Sequence, residues 1–184
     1  MKAICATVVV WALICVSPAI ASTSYQFRSA QAELTVINTE FLSHRTEREL
    51  MCLARNIYHE ARGQSEANQL AVAWVTRNRA HIWDRTICEV VFESHRVNGR
   101  RVAQFSWTIK SHARPMERDA WDLAQRLAWR VYLASDSDDI TRGATHFHER
   151  HVRPDWSQRG VHRQHIGAHV FMRIPQYVQL AQAR

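Results

Sequence analysis

Apolar positions recur at helical spacing in three stretches of the chain. Leu50, Leu53, Ala54, Ile57, Tyr58 and Ala61 fall at i, i+3, i+4, i+7, i+8 and i+11, which gathers them on one face of a helix. Thr46-Glu47-Arg48-Glu49 has the form of a capping box ahead of that face, and Gly63 stands where a helix end calls for left-handed backbone. A second helix is expected from about Glu66 to Ala80, with Leu70, Ala71, Trp74 and Val75 on its apolar side and Gln69, Arg77 and Asn78 on the wetter one. A third, from Glu117 to Ala134, builds its apolar side from Trp121, Ala124, Leu127, Ala128 and Val131.

Between and after the helices the pattern changes. Thr86 to Phe92 is apolar but too short to separate helix from buried strand. Asn98-Gly99 is a two-residue hairpin signal, with Arg96-Val97 before it and Val102 to Trp107 after it. Beyond the solvated turn Asp136-Ser137-Asp138-Asp139, the segments Thr145-His146-Phe147-His148 and His169-Val170-Phe171-Met172 read as strands. These elements predict an α+β fold that is mainly helical, in a single domain with a small antiparallel β element.

The ends have a different character. Met1-Lys2, the apolar run Ile4 to Val16 and the small-x-small site Ala19-Ile20-Ala21 have the form of a secretory signal at 1–21, and an uncleaved anchor is the other reading. The run is short for a membrane span, so no stable membrane insertion is expected after cleavage. Residues 22–45 then read as a flexible leader, 46–175 as the folded domain and 176–184 as a C-terminal tail. Cys5 and Cys15 leave with the signal, and the remaining pair, Cys52 and Cys88, is a candidate disulfide or two buried thiols. The formal net charge is +7, and it is +6 without Lys2; nearly all of the positive charge is arginine. Such a surface draws the protein towards polyanions, among them acidic wall polymer and anionic lipid. Export and the lack of an aromatic-basic RNA-binding motif argue against nucleic acid.

The most informative chemistry lies at Ile57-Tyr58-His59-Glu60-Ala61-Arg62-Gly63. Glu60 falls beside Leu53 at the rim of the apolar face, where desolvation disfavours the ionised form. A carboxyl still protonated near neutrality is what general-acid cleavage of a glycosidic bond requires. The alternative is a surface glutamate paired with Arg62 or another arginine.

Four separated segments together resemble one family. They are Leu53 to Gly63, Gln69 to Arg79, Gln104-Phe105-Ser106-Trp107, and Ala144 to His148 with Val152-Arg153-Pro154-Asp155-Trp156. In this order they resemble the cell wall hydrolases whose best-known member is the catalytic domain of the spore cortex-lytic enzyme, over roughly residues 50–173. The resemblance implies a lysozyme-like, lytic-transglycosylase-like domain that cuts peptidoglycan glycan strands between N-acetylmuramic acid and N-acetylglucosamine. It implies that Glu60 is the acid/base; chemistry with one carboxyl calls for no cofactor and no metal. The signal at 1–21 is what places the protein outside the cytoplasm, in the periplasm or the extracellular wall, and an activating protein is left open as a partner.

Ordinary glycosidases use two carboxyls. No second carboxylate stands in a comparable motif here: Glu66 opens the next helix, and Asp84, Glu89 and Glu93 carry no family signature. One suffices if the muramic acid's own 6-hydroxyl attacks; plain hydrolysis remains the alternative. Sugar contacts are expected from Tyr58, Arg62, Gln104, Ser106, Trp107 and His148. Strand alternation sends Gln104 and Ser106 one way and Phe105 and Trp107 the other, and the first pair is preferred at the substrate, with the aromatics left to packing. Tyr58 is equally suited to packing, and Ala103 stands where relatives carry a cysteine, so no disulfide scheme is borrowed from them. His146, His148, His151, His162, His165 and His169 could suggest a metal amidase or peptidase, but no H-E-x-x-H occurs, and His165 and His169 straddle Gly167 in strand-like sequence. A non-catalytic wall-binding module is the third reading, which the retention of Glu60 with Tyr58 and Arg62 opposes.

Overall fold

The computed structural model describes residues 43–109 and 115–175. The expected signal, the leader up to residue 42 and the tail from residue 176 lie outside them. Helix α1 covers 43–61, α2 Glu66–Ile82, α3 Ile87–Val91 and α4 Arg118–Leu133. Strands β1 Ser94–Val97 and β2 Arg100–Ala103 form a hairpin, while β3 His146–Glu149, β4 Val161–Ile166 and β5 His169–Arg173 form an antiparallel sheet in the order β3-β5-β4. The molecule is therefore α+β, with helices predominant and two small antiparallel sheets. Among the described residues no helix is long and apolar enough to cross a membrane.

Helix α2 explains the arrangement. One side packs Leu70, Ala73 and Trp74 against Leu53, Ile57 and Tyr58 of α1 and Ala124, Leu127 and Val131 of α4. The other packs Ala71, Val72 and Val75 against Ala144 and Phe171 beneath the three-stranded sheet. A helix covered on both sides has little room for a wet face, so Gln69, expected there, is buried. Its amide donates to Gln64 O at 3.0 Å. Asn68 is buried too; its Nδ2 donates to Ile166 O at 2.8 Å and its Oδ1 lies 3.0 Å from His169 Nδ1. These bonds offset the cost of burying amides in an apolar layer. They also bring the β4-β5 turn against α2, where a Cβ at Gly167 would lie 2.7 Å from Asn68 Nδ2 in left-handed backbone at φ 57°.

The elements start and stop where local chemistry directs. Ser65 caps α2 by accepting from Asn68 N, and Gly63 turns the chain between α1 and α2 at φ 82°. The undecided stretch 86–92 is a helix, because Thr86 and Glu89 form a reciprocal capping box. The capping box expected at Thr46 and Glu49 does not form. Helix α1 is already under way at residue 43, so Glu49 lies inside it, and its carboxylate accepts from Ile87 N at the start of α3. The Asn98-Gly99 hairpin forms, but β2 ends at Ala103, and Ser106–Ile109 is a 3-10 turn in place of the expected strand to Trp107.

Cys52 of α1 and Cys88 of α3 are joined by a disulfide across a sequence separation of 36. Closing a loop of that size restricts the unfolded chain, and its loss should cost about 3 to 4 kcal/mol on the chain-entropy relation. A Cys52→Ala/Cys88→Ala protein should show a correspondingly lower urea midpoint under non-reducing conditions; an unchanged midpoint would refute a stabilising role.

Candidate active site

Glu60 occupies the last turn of α1 and is partly buried. Burial pushes its carboxyl up to about 7, against the opposing pull of the Arg79 guanidinium. A group near that value is protonated for much of the time at neutral pH and can both give and take a proton. Arg79 was not singled out from the sequence as a site residue. It stands seven residues after Val72 and four after Val75, so α2 carries it on the sheet-facing side, where it is buried. Its Nε donates to Thr145 O at 2.6 Å, and its guanidinium lies 5.5 Å from the Phe105 ring and 5.8 Å from that of Trp83. With the Gln104 amide oriented to present its oxygen, Nη1 and Nη2 donate to it at 2.8 Å and 3.3 Å.

His146, at the start of β3, shares the influence of Arg79 with Glu60. Burial first, then the charges of Arg79 and Arg159, push its imidazole down to about 3, so it is neutral at physiological pH. Its Nδ1 lies 2.9 Å from Thr145 Oγ1. Two residues along β3, His148 presents Nδ1 to Glu149 O at 2.8 Å; because a carbonyl only accepts, that nitrogen carries the proton. Trp156 lies against both rings, with centroids 5.3 Å from His146 and 5.7 Å from His148. A cavity of about 410 Å³ opens beside His148.

The other residues marked in the sequence have varied positions. Gln104 is exposed yet tied to Arg79, and Ser106 is exposed in the 3-10 turn. Phe105 and Trp107 are buried. Trp107 Nε1 donates to Asn56 Oδ1 at 3.1 Å, and its ring stacks on His59 at 4.5 Å, so the indole is held in the wall of the domain. Tyr58 is almost fully buried, and its hydroxyl accepts from Met116 N at 2.9 Å and Glu117 N at 3.1 Å. It thereby satisfies backbone donors at the start of α4, a packing role. Arg62 lies over the Tyr58 ring and pairs with Glu117 at 3.1 Å. Both side chains thus brace the junction of α1 and α4.

Carboxylates close in sequence to Glu60 are engaged elsewhere. Glu66 pairs with Arg130, Glu93 with Arg85, and Glu89 caps α3. Of the clustered histidines, His169 is buried against Asn68 and His151 faces Glu149, while His148 and His165 line one cavity. Among the described residues no group of three or more His, Cys, Asp or Glu side chains could hold a metal ion.

The family model described as Cell Wall Hydrolase matches residues 63–172, more than half of the chain. The matched span takes in Arg79, Gln104, His146 and His148, and begins three residues after Glu60. No curated protein and no solved structure matches the chain.

Proposed function

We propose, for a chain that belongs to the cell wall hydrolase family, that Glu60 is the single acid/base in cleavage of peptidoglycan glycan strands between N-acetylmuramic acid and N-acetylglucosamine. The observation that supports this most is a carboxyl lifted to about 7 at the end of α1 with the buried Arg79 acting on it. The neutral form donates its proton to the glycosidic oxygen as the bond from that oxygen to the anomeric carbon breaks. Arg79 favours the carboxylate that remains, so the acid is neutral enough to be loaded yet strong enough to discharge.

The reaction is a lytic transglycosylation. The muramic 6-hydroxyl attacks the anomeric carbon, a new bond joins that oxygen to the carbon, and the hydroxyl proton passes to the Glu60 carboxylate. The product is a 1,6-anhydromuramic end, the acid is regenerated, and no water is consumed. Engagement of Glu66, Glu89 and Glu93 elsewhere favours this route over a two-carboxyl hydrolysis. Gln104, Ser106 and His148 supply hydrogen bonds to sugar hydroxyl and acetamido groups, and neutral His146 adds one without adding charge. The helical frame serves as a lysozyme-like cleft, and the protein works outside the cytoplasm, where its disulfide forms.

Mass spectrometry of fragments released from purified peptidoglycan tests the proposal. Anhydromuramic ends are expected. Reducing muramic ends would replace the internal hydroxyl with water and make the enzyme a hydrolytic muramidase. Cut stem peptides with intact glycan would overturn the assignment of Glu60.

A further inference from the structure

The cavity beside His148 is lined by Arg150, Arg153, Arg163, His165 and the buried Ser157, and among the described residues no Asp or Glu lines it. Three guanidinium groups around one hollow favour an anion there, because like charges gathered without acids repel one another until a ligand neutralises them. Arg163 is fixed in place: its Nη2 donates to Ser157 O at 2.6 Å and its Nε to Gly160 O at 3.2 Å. The His148 ring is fixed by Nδ1–H on Glu149 O. A volume of about 410 Å³ suits a short peptide segment.

Position identifies the ligand class. His146 shares the Arg79 charge with Glu60, and His148 lines the cavity two residues further along β3, about 7 Å along a strand. Trp156 lies against both. A glycan strand laid with its muramic residue at Glu60 carries, on the lactyl ether of that sugar, a stem peptide that bears the substrate's carboxylates. An extended peptide advances at most about 3.6 Å per residue, so two or three residues cover the step along β3 from His146 to His148.

We infer that this basic cavity is a subsite for the carboxylates of the stem peptide, so that the enzyme prefers peptide-bearing glycan. The inference rests on the proposed glycan-cleaving role of Glu60. Its test uses three preparations of sacculi: intact, with carboxylates capped by carbodiimide coupling to ethanolamine, and stripped of phosphate-bearing polymer. The parent enzyme should cut intact sacculi about tenfold faster, in kcat/KM, than capped ones, in line with one or two charge-assisted hydrogen bonds. Arg150→Gln/Arg153→Gln should bring that ratio close to one. Arg118→Gln/Arg126→Gln, on α4, should keep the parent ratio, which separates a local site from the general positive charge. Equal rates on intact and capped sacculi, or an α4 variant that loses the preference as fully, would overturn the inference. Loss of the preference on stripping the polymer would assign the cavity to phosphate and overturn it too. If the parent releases no glycan fragments from any preparation, the fault lies with the role of Glu60 instead.

Discussion

Replacing Glu60 with Gln should reduce release of glycan fragments by roughly 10³-fold or more, the loss expected when a positioned general acid is removed. Binding to sacculi should persist, since the amide keeps the shape of the side chain. The parent's own profile follows from the same group. Its carboxyl is lifted to about 7, so the donating form is lost as pH rises through that value, and kcat/KM should fall about tenfold per pH unit above it. Stability should also fall as pH rises. A carboxyl whose folded pKa is raised costs the fold nothing below its unfolded value, and the cost grows between that value and about 7. Glu60→Gln removes the charge, so the variant should be more stable than the parent at pH 8, by roughly 2 to 3 kcal/mol at most, with no such gain at pH 4. A variant that digests sacculi as the parent does would end the assignment of Glu60. One that is inactive but shows no gain at pH 8 would place the carboxyl in water.

Arg79→Met should damage both chemistry and fold, and the two effects are separable. Without the guanidinium, burial acts on Glu60 unopposed, the carboxyl rises beyond about 7, and the alkaline limb of the pH profile moves upward. The same loss relaxes His146, which is held down partly by that charge, so its imidazole rises towards its ordinary range. A weaker acid gives up its proton less readily, and kcat/KM at pH 6 should fall by roughly 10²-fold. Thr145 O, which accepts from Arg79 at 2.6 Å, loses its partner, at a cost of about 1 to 3 kcal/mol. Arg79→Lys keeps the charge but not the planar fork, so it should restore the pH profile more fully than the stability. Activity curves measured from pH 4 to 9 alongside thermal melts would check both. An unmoved alkaline limb in Arg79→Met would mean that its charge does not act on Glu60.

Helical periodicity made α1, α2 and α4 legible because each buries a continuous apolar stripe, and Asn98-Gly99 marked its hairpin through backbone demands that few residues meet. Glu60 was readable as a desolvated acid from its place at the rim of such a stripe. Arg79 was not, since an arginine in a helix ordinarily belongs to the solvated side. The signal lay in its spacing from Val72 and Val75, which only matters once a sheet is known to cover that side of α2. Gln104 to Trp107 shows the reverse. Strand alternation predicted Phe105 and Trp107 inside with Gln104 and Ser106 outside, and the burial follows that division although the backbone leaves the strand at Ala103. Tyr58 and Arg62 stand next to the acid in sequence, yet their helix turns them towards α4. The basic cavity was hidden because Arg150, Arg153 and Arg163 come from two segments that only the β3-β5-β4 pairing brings together.

Strand β4 is an outer strand of its sheet, exposed at Val161, His162, Arg163 and His165, with an irregular register between Val161 and Gln164 and left-handed backbone at His162. An open strand offers unpaired amide and carbonyl groups to any other extended chain, and this one is interrupted by a bulge and carries a guanidinium. Arg163 therefore has a second duty besides the hollow it lines: it discourages intermolecular β-addition in a protein crowded against the polymer mesh it attacks.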